Sequence, residues 1–183
     1  MHETAARSLP NLAANDWMNV VPPAARWILQ GASEARAAAA RSFGVALALE
    51  PCRARVQGGR ASLWLGPEEY LLLAPADDAA AVAGALAAAL RGIAHSLVDV
   101  GHRQIGIEVH GPQAARILNG ACPLDFDDSE FPPGACTRTV FAKADIVLWR
   151  TLTDAFRLEV ARSFSHYVAD LLTEIAIDYL GRA

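Results

Sequence analysis

The chain has almost no lysine: of its 16 lysine and arginine residues only Lys143 is a lysine. Arginine suits interfaces because its planar fork pairs with carboxylates and is weakly hydrated, although genomic base composition produces the same bias and is the simpler cause. Cysteine is scarce too. Cys52, Cys122 and Cys136 are an odd number, widely spaced, with no CxxC pair, which excludes a disulfide framework and a thiolate zinc site. Excess positive charge is absent, the net charge being −4 and the pI ≈ 5.7. That argues against nucleic acid as a partner, since such binding neutralises phosphates with many basic side chains. The longest apolar run, Ala79 to Leu90, is mostly alanine and short of the roughly 17–25 residues of a membrane-spanning helix. It reads as a buried or half-buried helix, with no membrane partner. Met1 to Leu12 carries Glu3 and lacks the apolar core of a signal peptide, so a cytoplasmic protein is expected. No Walker loop, GxGxxG, HExxH or GxSxG occurs.

What is present is a composition that folds. Hydrophobic residues make up 53% and charged residues 20% of 183, enough for a core and against disorder. Residues 1–23 show little periodicity and end in Pro22-Pro23, which predicts an extended arm whose Trp17 and Met18 need burial. Ala25, Trp27 and Leu29 then alternate with Arg26 and Gln30 as in a strand. Ser33 is placed to cap a helix that Gly44 closes, while Phe43 to Val56 has no clear pattern. Strands around Ala61–Leu65 and Tyr70–Ala74 flank Gly66-Pro67-Glu68-Glu69 as a hairpin. A helix follows with Asp77 and Asp78 at its start, where the dipole favours negative charge, and His95 to Val100 is the next strand. Over residues 24–100 the order is therefore β-α-β-β-α-β, the ferredoxin-like pattern.

Residues 101–183 follow a related order. Ile105, Ile107 and Val109 alternate with Gln104, Gly106, Glu108 and His110, predicting a strand with one wet face. Gly111-Pro112 predicts a helix with proline at its first position, ended by Gly120. After the acidic loop Ala121–Gly134 come strands over Cys136–Ala142, Asp145–Arg150 and Ala155–Ala161. Phe164, Tyr167, Val168, Leu171, Leu172 and Ile175 then mark one face of a long amphipathic helix. The fold class expected is α+β, two ferredoxin-like halves with mainly antiparallel sheets backed by helices.

Candidate chemistry is thin. The acidic run Asp125-Phe126-Asp127-Asp128-Ser129-Glu130 has Glu130 where a calcium loop needs glycine, so no metal site is expected. In Asp99-x-x-His102-Arg103 the carboxylate stands where it could orient an imidazole. With no nucleophile nearby, a turn held by local hydrogen bonds is the better reading. Trp27, Trp64 and Trp149 fall on strands and read as core or interface.

Two groups of residues carry a resemblance. Asp99-Val100-Gly101-His102-Arg103, then Gly111-Pro112-Gln113-Ala114-Ala115, Leu118-Asn119 and Asp125, resemble the folate-binding domain of aminomethyltransferases. Leu65–Leu72, Phe131–Thr139 and Lys143–Arg150 narrow this, because with them the chain resembles the gamma subunit of heterotetrameric sarcosine oxidase. The resemblance implies a complex that oxidatively demethylates sarcosine to glycine and passes the one-carbon unit to tetrahydrofolate. It implies partners (alpha, beta and delta subunits) that carry FAD, FMN, NAD, tetrahydrofolate and zinc, and no cofactor or catalytic residue in this chain. One departure matters. Aminomethyltransferases have a glycine-rich turn before an Asp-Asp pair whose second aspartate contacts folate. Asp145 matches that aspartate, but Lys143-Ala144 replaces the turn and the first acid. The alternative is a stand-alone folate or one-carbon binding protein, in which Asp145, with Asp99, His102 and Arg103, forms the cofactor site. A regulatory small-molecule binder that reuses the fold is a third reading.

Overall fold

The computed structural model describes residues 16–181. It begins with β1 (Met18–Val20), β2 (Ala24–Gln30), α1 (Ser33–Phe43), β3 (Ala54–Gln57), β4 (Arg60–Gly66) and β5 (Glu69–Pro75). A 3-10 turn leads into α2 (Ala79–Ala89), and β6 (Ser96–Asp99) follows. Then come β7 (Gln104–His110), α3 (Ala114–Asn119), β8 (Cys136–Phe141), β9 (Ala144–Leu152) and β10 (Ala155–Ala161). A second 3-10 turn, Arg162–Phe164, leads into α4 (Ser165–Leu180). Of the arm expected over residues 1–23, the first fifteen lie outside the described residues.

The strands form two five-stranded antiparallel sheets, ordered β3-β4-β5-β2-β6 and β1-β7-β10-β9-β8. Read against each other, the two orders match place for place. β7, β10 and β9 stand where β2, β5 and β4 do, and each sheet has a hairpin partner on one edge, β3 or β8. The exception is the other edge. In the first sheet it is β6, which follows its helix; in the second it is β1, which precedes the whole first sheet. Of the described part of the expected arm, Met18–Val20 forms a strand, with Met18 paired to Val109.

Three apolar clusters set the layers. Helices α1 and α2 bury Ala35, Phe43, Val82 and Leu86 against Trp27, Leu29, Tyr70 and Leu72. Helices α3 and α4 bury Ile117, Leu118, Val168 and Leu172 against Ile107, Phe156 and Leu158. Between the sheets, Leu63, Leu71 and Leu73 meet Cys136 and Val147. The order is helices, sheet, sheet, helices. Because β5 has a core on both sides, Tyr70 to Ala74 are all buried, as the unbroken run YLLLA requires.

Four local expectations are corrected. Ser33 is the first helical residue and makes no capping hydrogen bond; the cap position is Ala32. Pro112 stands outside α3, because Gly111 (φ +99°) turns the chain first and accepts the Ala114 N–H at 2.9 Å. The polar face of β7 is half-buried: Gly106 lies under Val21, whose Cβ would be 3.0 Å from an added Cβ, and under Arg26. In α4 the buried stripe is Ser165, Val168, Ala169, Leu172 and Ala176, with Phe164 and Tyr167 exposed. Phe164 belongs to the 3-10 turn, so its spacing to Val168 is not helical. The close approach of α3 and α4 selects small residues instead. At that crossing a Cβ on Gly120 would come within 2.6 Å of Ile175 Cγ2 and 3.2 Å of the Ile117 carbonyl. Gly120→Ala is expected to destabilise the fold by about 1–3 kcal/mol, read as a lower urea midpoint with unchanged m.

Candidate functional site

The turn Asp99–Arg103 joins the sheets. Asp99 Oδ1 accepts the Gly101 N–H at 2.8 Å, and the Val100 carbonyl accepts the Arg103 N–H at 3.0 Å. Arg162 clamps the turn from outside, donating from Nε to the His102 carbonyl at 3.1 Å and from its backbone N to the Arg103 carbonyl at 2.8 Å. The carboxylate is committed to its own backbone, so the turn is held by local hydrogen bonds. Asp99, His102 and Arg103 are all exposed. Asp145 is exposed at the start of β9. The register Ile146–Val160–Ile105 places it at the same end of the second sheet as the turn, two strand spacings of about 4.8 Å away. The structure thus gathers the four residues at one end of a sheet without enclosing them. In the β8–β9 turn, Ala142 takes φ +49°, a left-handed conformation that suits glycine.

The densest polar chemistry lies elsewhere. Glu159 on β10 is 1% exposed, between the sheets, and Arg26 on β2 reaches it from the first sheet. Arg26 Nε donates to Glu159 Oε2 at 2.6 Å and Arg157 Nε to Oε1 at 2.7 Å. Arg26 also donates from Nη1 to the Ala24 carbonyl at 2.8 Å. Two guanidiniums therefore share one buried carboxylate. Arg157 stands opposite Trp149 on β9 and Glu108 on β7. Beside this group runs a cleft of ≈ 610 Å³, lined by Val21–Ala24, the β3–β4 hairpin, the end of β5, Trp149 and Arg157. The sequence shows Arg157 and Glu159 alternating with Phe156, Leu158 and Val160. Such alternation does not tell a wet face from one covered by a second sheet.

Two other arginines organise the surface. Arg150 is buried and donates from Nη1 to the carbonyls of Phe131 (2.7 Å) and Phe126 (3.2 Å), tying down the acidic loop. Its Nη2 donates to Asp128 at 2.6 Å, and its guanidinium lies over the Phe156 ring. Arg138 on β8 pairs with Glu69 at the β4–β5 turn, so the two sheets are also bridged at the rim. The Arg138 hydrogen bond holds the Glu69 carboxyl below the usual carboxylate range, against a smaller upward push from burial. Among the described residues no group of three or more His, Cys, Asp or Glu is arranged to hold a metal ion.

The cysteines are quiet. Burial pushes the Cys136 thiol up to about 12, partly offset by its bond to the Trp64 carbonyl, and burial also raises Cys122. Since folded Cys136 holds its proton more tightly than its ordinary 9.0, that part of stability is lost as pH rises from 9.0 towards about 12. Iodoacetamide at pH 8 is expected to alkylate half-exposed Cys52 in the folded protein and all three thiols only in urea. Mass spectrometry of the digested protein checks this.

A family model for the sarcosine oxidase gamma subunit matches residues 29–178. The chain belongs to this family. The sarcosine oxidase subunit gamma of Arthrobacter sp is 33% identical over 122 residues, 64% of this chain and 59% of that protein. The aligned stretch is thus little more than half of that relative's length. Among solved structures, a chain of the heterotetrameric sarcosine oxidase from Corynebacterium sp. U-96, in complex with pyrrole 2-carboxylate, superposes with a TM-score of 0.84. It is 27% identical and covers 91% of this chain and 85% of its own. Glycine cleavage system aminomethyltransferase T from Bartonella henselae follows at a TM-score of 0.65 and 16% identity, over 85% of this chain and 44% of that one. At that identity the likeness is one of fold. The α+β fold of this chain, two antiparallel sheets backed by helices, is thus shared with these two chains.

Proposed function

We propose that this chain is a non-catalytic gamma subunit that assembles with alpha, beta and delta subunits into a sarcosine oxidase. In that complex sarcosine is oxidatively demethylated to glycine, and the one-carbon unit passes to tetrahydrofolate. FAD, FMN, NAD, tetrahydrofolate and zinc are held by the other subunits, and the complex is cytoplasmic. The superposition on a chain of a heterotetramer across most of this chain carries the proposal. The open placement of Asp99, His102, Arg103 and Asp145 supports a non-catalytic part, since a small-molecule site is ordinarily concave. Exposed apolar side chains supply material for contact, with Leu49 at 72%, Leu152 at 64% and Val56 at 60%. No helix among the described residues is long and apolar enough to cross a membrane.

Co-expression of the three other subunits with and without this chain tests the reading. Without it, the yield of assembled, flavin-loaded complex is expected to fall severalfold. Equal assembly and flavin content in both preparations rules out a structural part in the complex.

A further inference from the structure

Of the four asparagines in the chain, only Asn119 is followed by glycine. An Asn-Gly pair is prone to lose its side-chain amide, because glycine has no Cβ to hinder attack by its backbone nitrogen on the asparagine Cγ. Here packing accounts for each half of the pair. Gly120 stands where α3 crosses α4, and an added Cβ would meet Ile175 Cγ2 at 2.6 Å. Asn119 serves the loop that follows, donating from Nδ2 to the Leu124 carbonyl at 2.7 Å. The fold thus places a chemically labile pair at an exposed helix end.

The same geometry keeps the pair from reacting. Ring closure needs the Gly120 nitrogen nearly eclipsed with Cβ of Asn119. Asn119 is the last residue of α3, and a helical ψ of about −42° turns that nitrogen away from the side chain. The Gly120 N–H is engaged as well, donating to the Ile117 carbonyl at 3.2 Å. Because Nδ2 is bonded to the Leu124 carbonyl, turning the side chain towards Gly120 breaks that bond first. Nitrogen and Cγ are free to meet only when the last turn of α3 opens, and helix ends open at small cost in free energy.

We propose that Asn119 is a deamidation site, gated by opening of the α3 end, whose product releases the acidic loop. In the opened state the deprotonated Gly120 nitrogen attacks Asn119 Cγ, the Cγ–Nδ2 bond breaks and ammonia leaves. Water then opens the cyclic imide at either carbonyl, leaving aspartate or isoaspartate at this position. Neither carboxylate can donate to the Leu124 carbonyl. Each also adds negative charge at the start of a loop that already carries Asp125, Asp127, Asp128 and Glu130. Loss of the amide is irreversible, so chemical ageing removes this tie for good.

The test incubates the full-length chain at pH 8, folded and in urea, and follows conversion at Asn119 by mass spectrometry of the digested protein. Conversion is expected to run at least about tenfold slower in the folded chain than in the unfolded one. Equal rates would show that the helix end gives no protection and would overturn the gating. The product is tested with Asn119→Asp. In that variant hydrogen exchange over residues 121–134 is expected to rise about two- to tenfold, the equivalent of one ordinary hydrogen bond. If the variant does not fold, the deamidated fraction of aged protein, separated by anion exchange, gives the same comparison. Unchanged exchange over these residues in either preparation overturns the proposal.

Discussion

Glu159→Gln is expected to destabilise the fold by about 3–5 kcal/mol, the range for removing one member of a buried ion pair. The carboxylate is 1% exposed and accepts from two guanidiniums on different sheets. Its loss leaves Arg26, 3% exposed, without a counter-charge, and the glutamine offers one acceptor oxygen where two guanidiniums had one each. Urea unfolding followed by tryptophan fluorescence reads the effect as a fall in midpoint. A companion variant separates loss of charge balance from loss of packing. Arg26→Met, Glu159→Leu and Arg157→Met together remove all three charges while keeping apolar volume. That triple variant is expected to recover most of the lost stability, because apolar replacements spare the desolvation of the ions. Equal destabilisation of the single and triple variants would show that the charges contribute no more than their shape.

The second large effect is at Arg150. Arg150→Met should cost about 3 kcal/mol or more, because the guanidinium serves the carbonyls of Phe126, Phe131 and Thr153 from a site 4% exposed. The Asp128 partner adds little, since its side chain is 68% exposed and water replaces the cation. The damage should be local as well as global. Phe126 packs edge-on against Phe131 and Phe156, so a loosened loop uncovers the end of the second core. Hydrogen exchange is expected to accelerate first over residues 124–134, ahead of the strands. Uniform acceleration across the second sheet would mean that Arg150 supports the sheet and not the loop. Arg150→Lys should recover part of the loss, as an ammonium reaches fewer of these acceptors.

Glu159 and Arg150 mark the limit of what the sequence discloses. Strands with strict alternation, such as Phe156–Val160, are legible, as are the hairpin at Gly66-Pro67 and the glycine stop at Gly44 (φ +78°). Their patterns reflect local geometry, and so does the turn at Asp99, whose side chain answers its own backbone. The facing of the two sheets is not local. Arg26, Arg157 and Glu159 look like exposed residues until a second sheet covers them. The α4 stripe was legible in period and not in phase, because Ala169 and Ala176 are buried by close approach, a property of the partner helix and not of alanine. The ordered motifs disclosed the family, whereas the four candidate residues share one sheet end and are each exposed.

The exchange of β1 for β6 at the sheet edge has a consequence in time. Residues Met18–Val20 leave the ribosome before the first sheet, yet their partners Ile107–Val109 follow only after the whole of that sheet has been made. At about 5–20 residues per second that interval lasts several seconds. The earliest of the described strands therefore finds its place late, and the second sheet gains this edge from a segment that has waited for it.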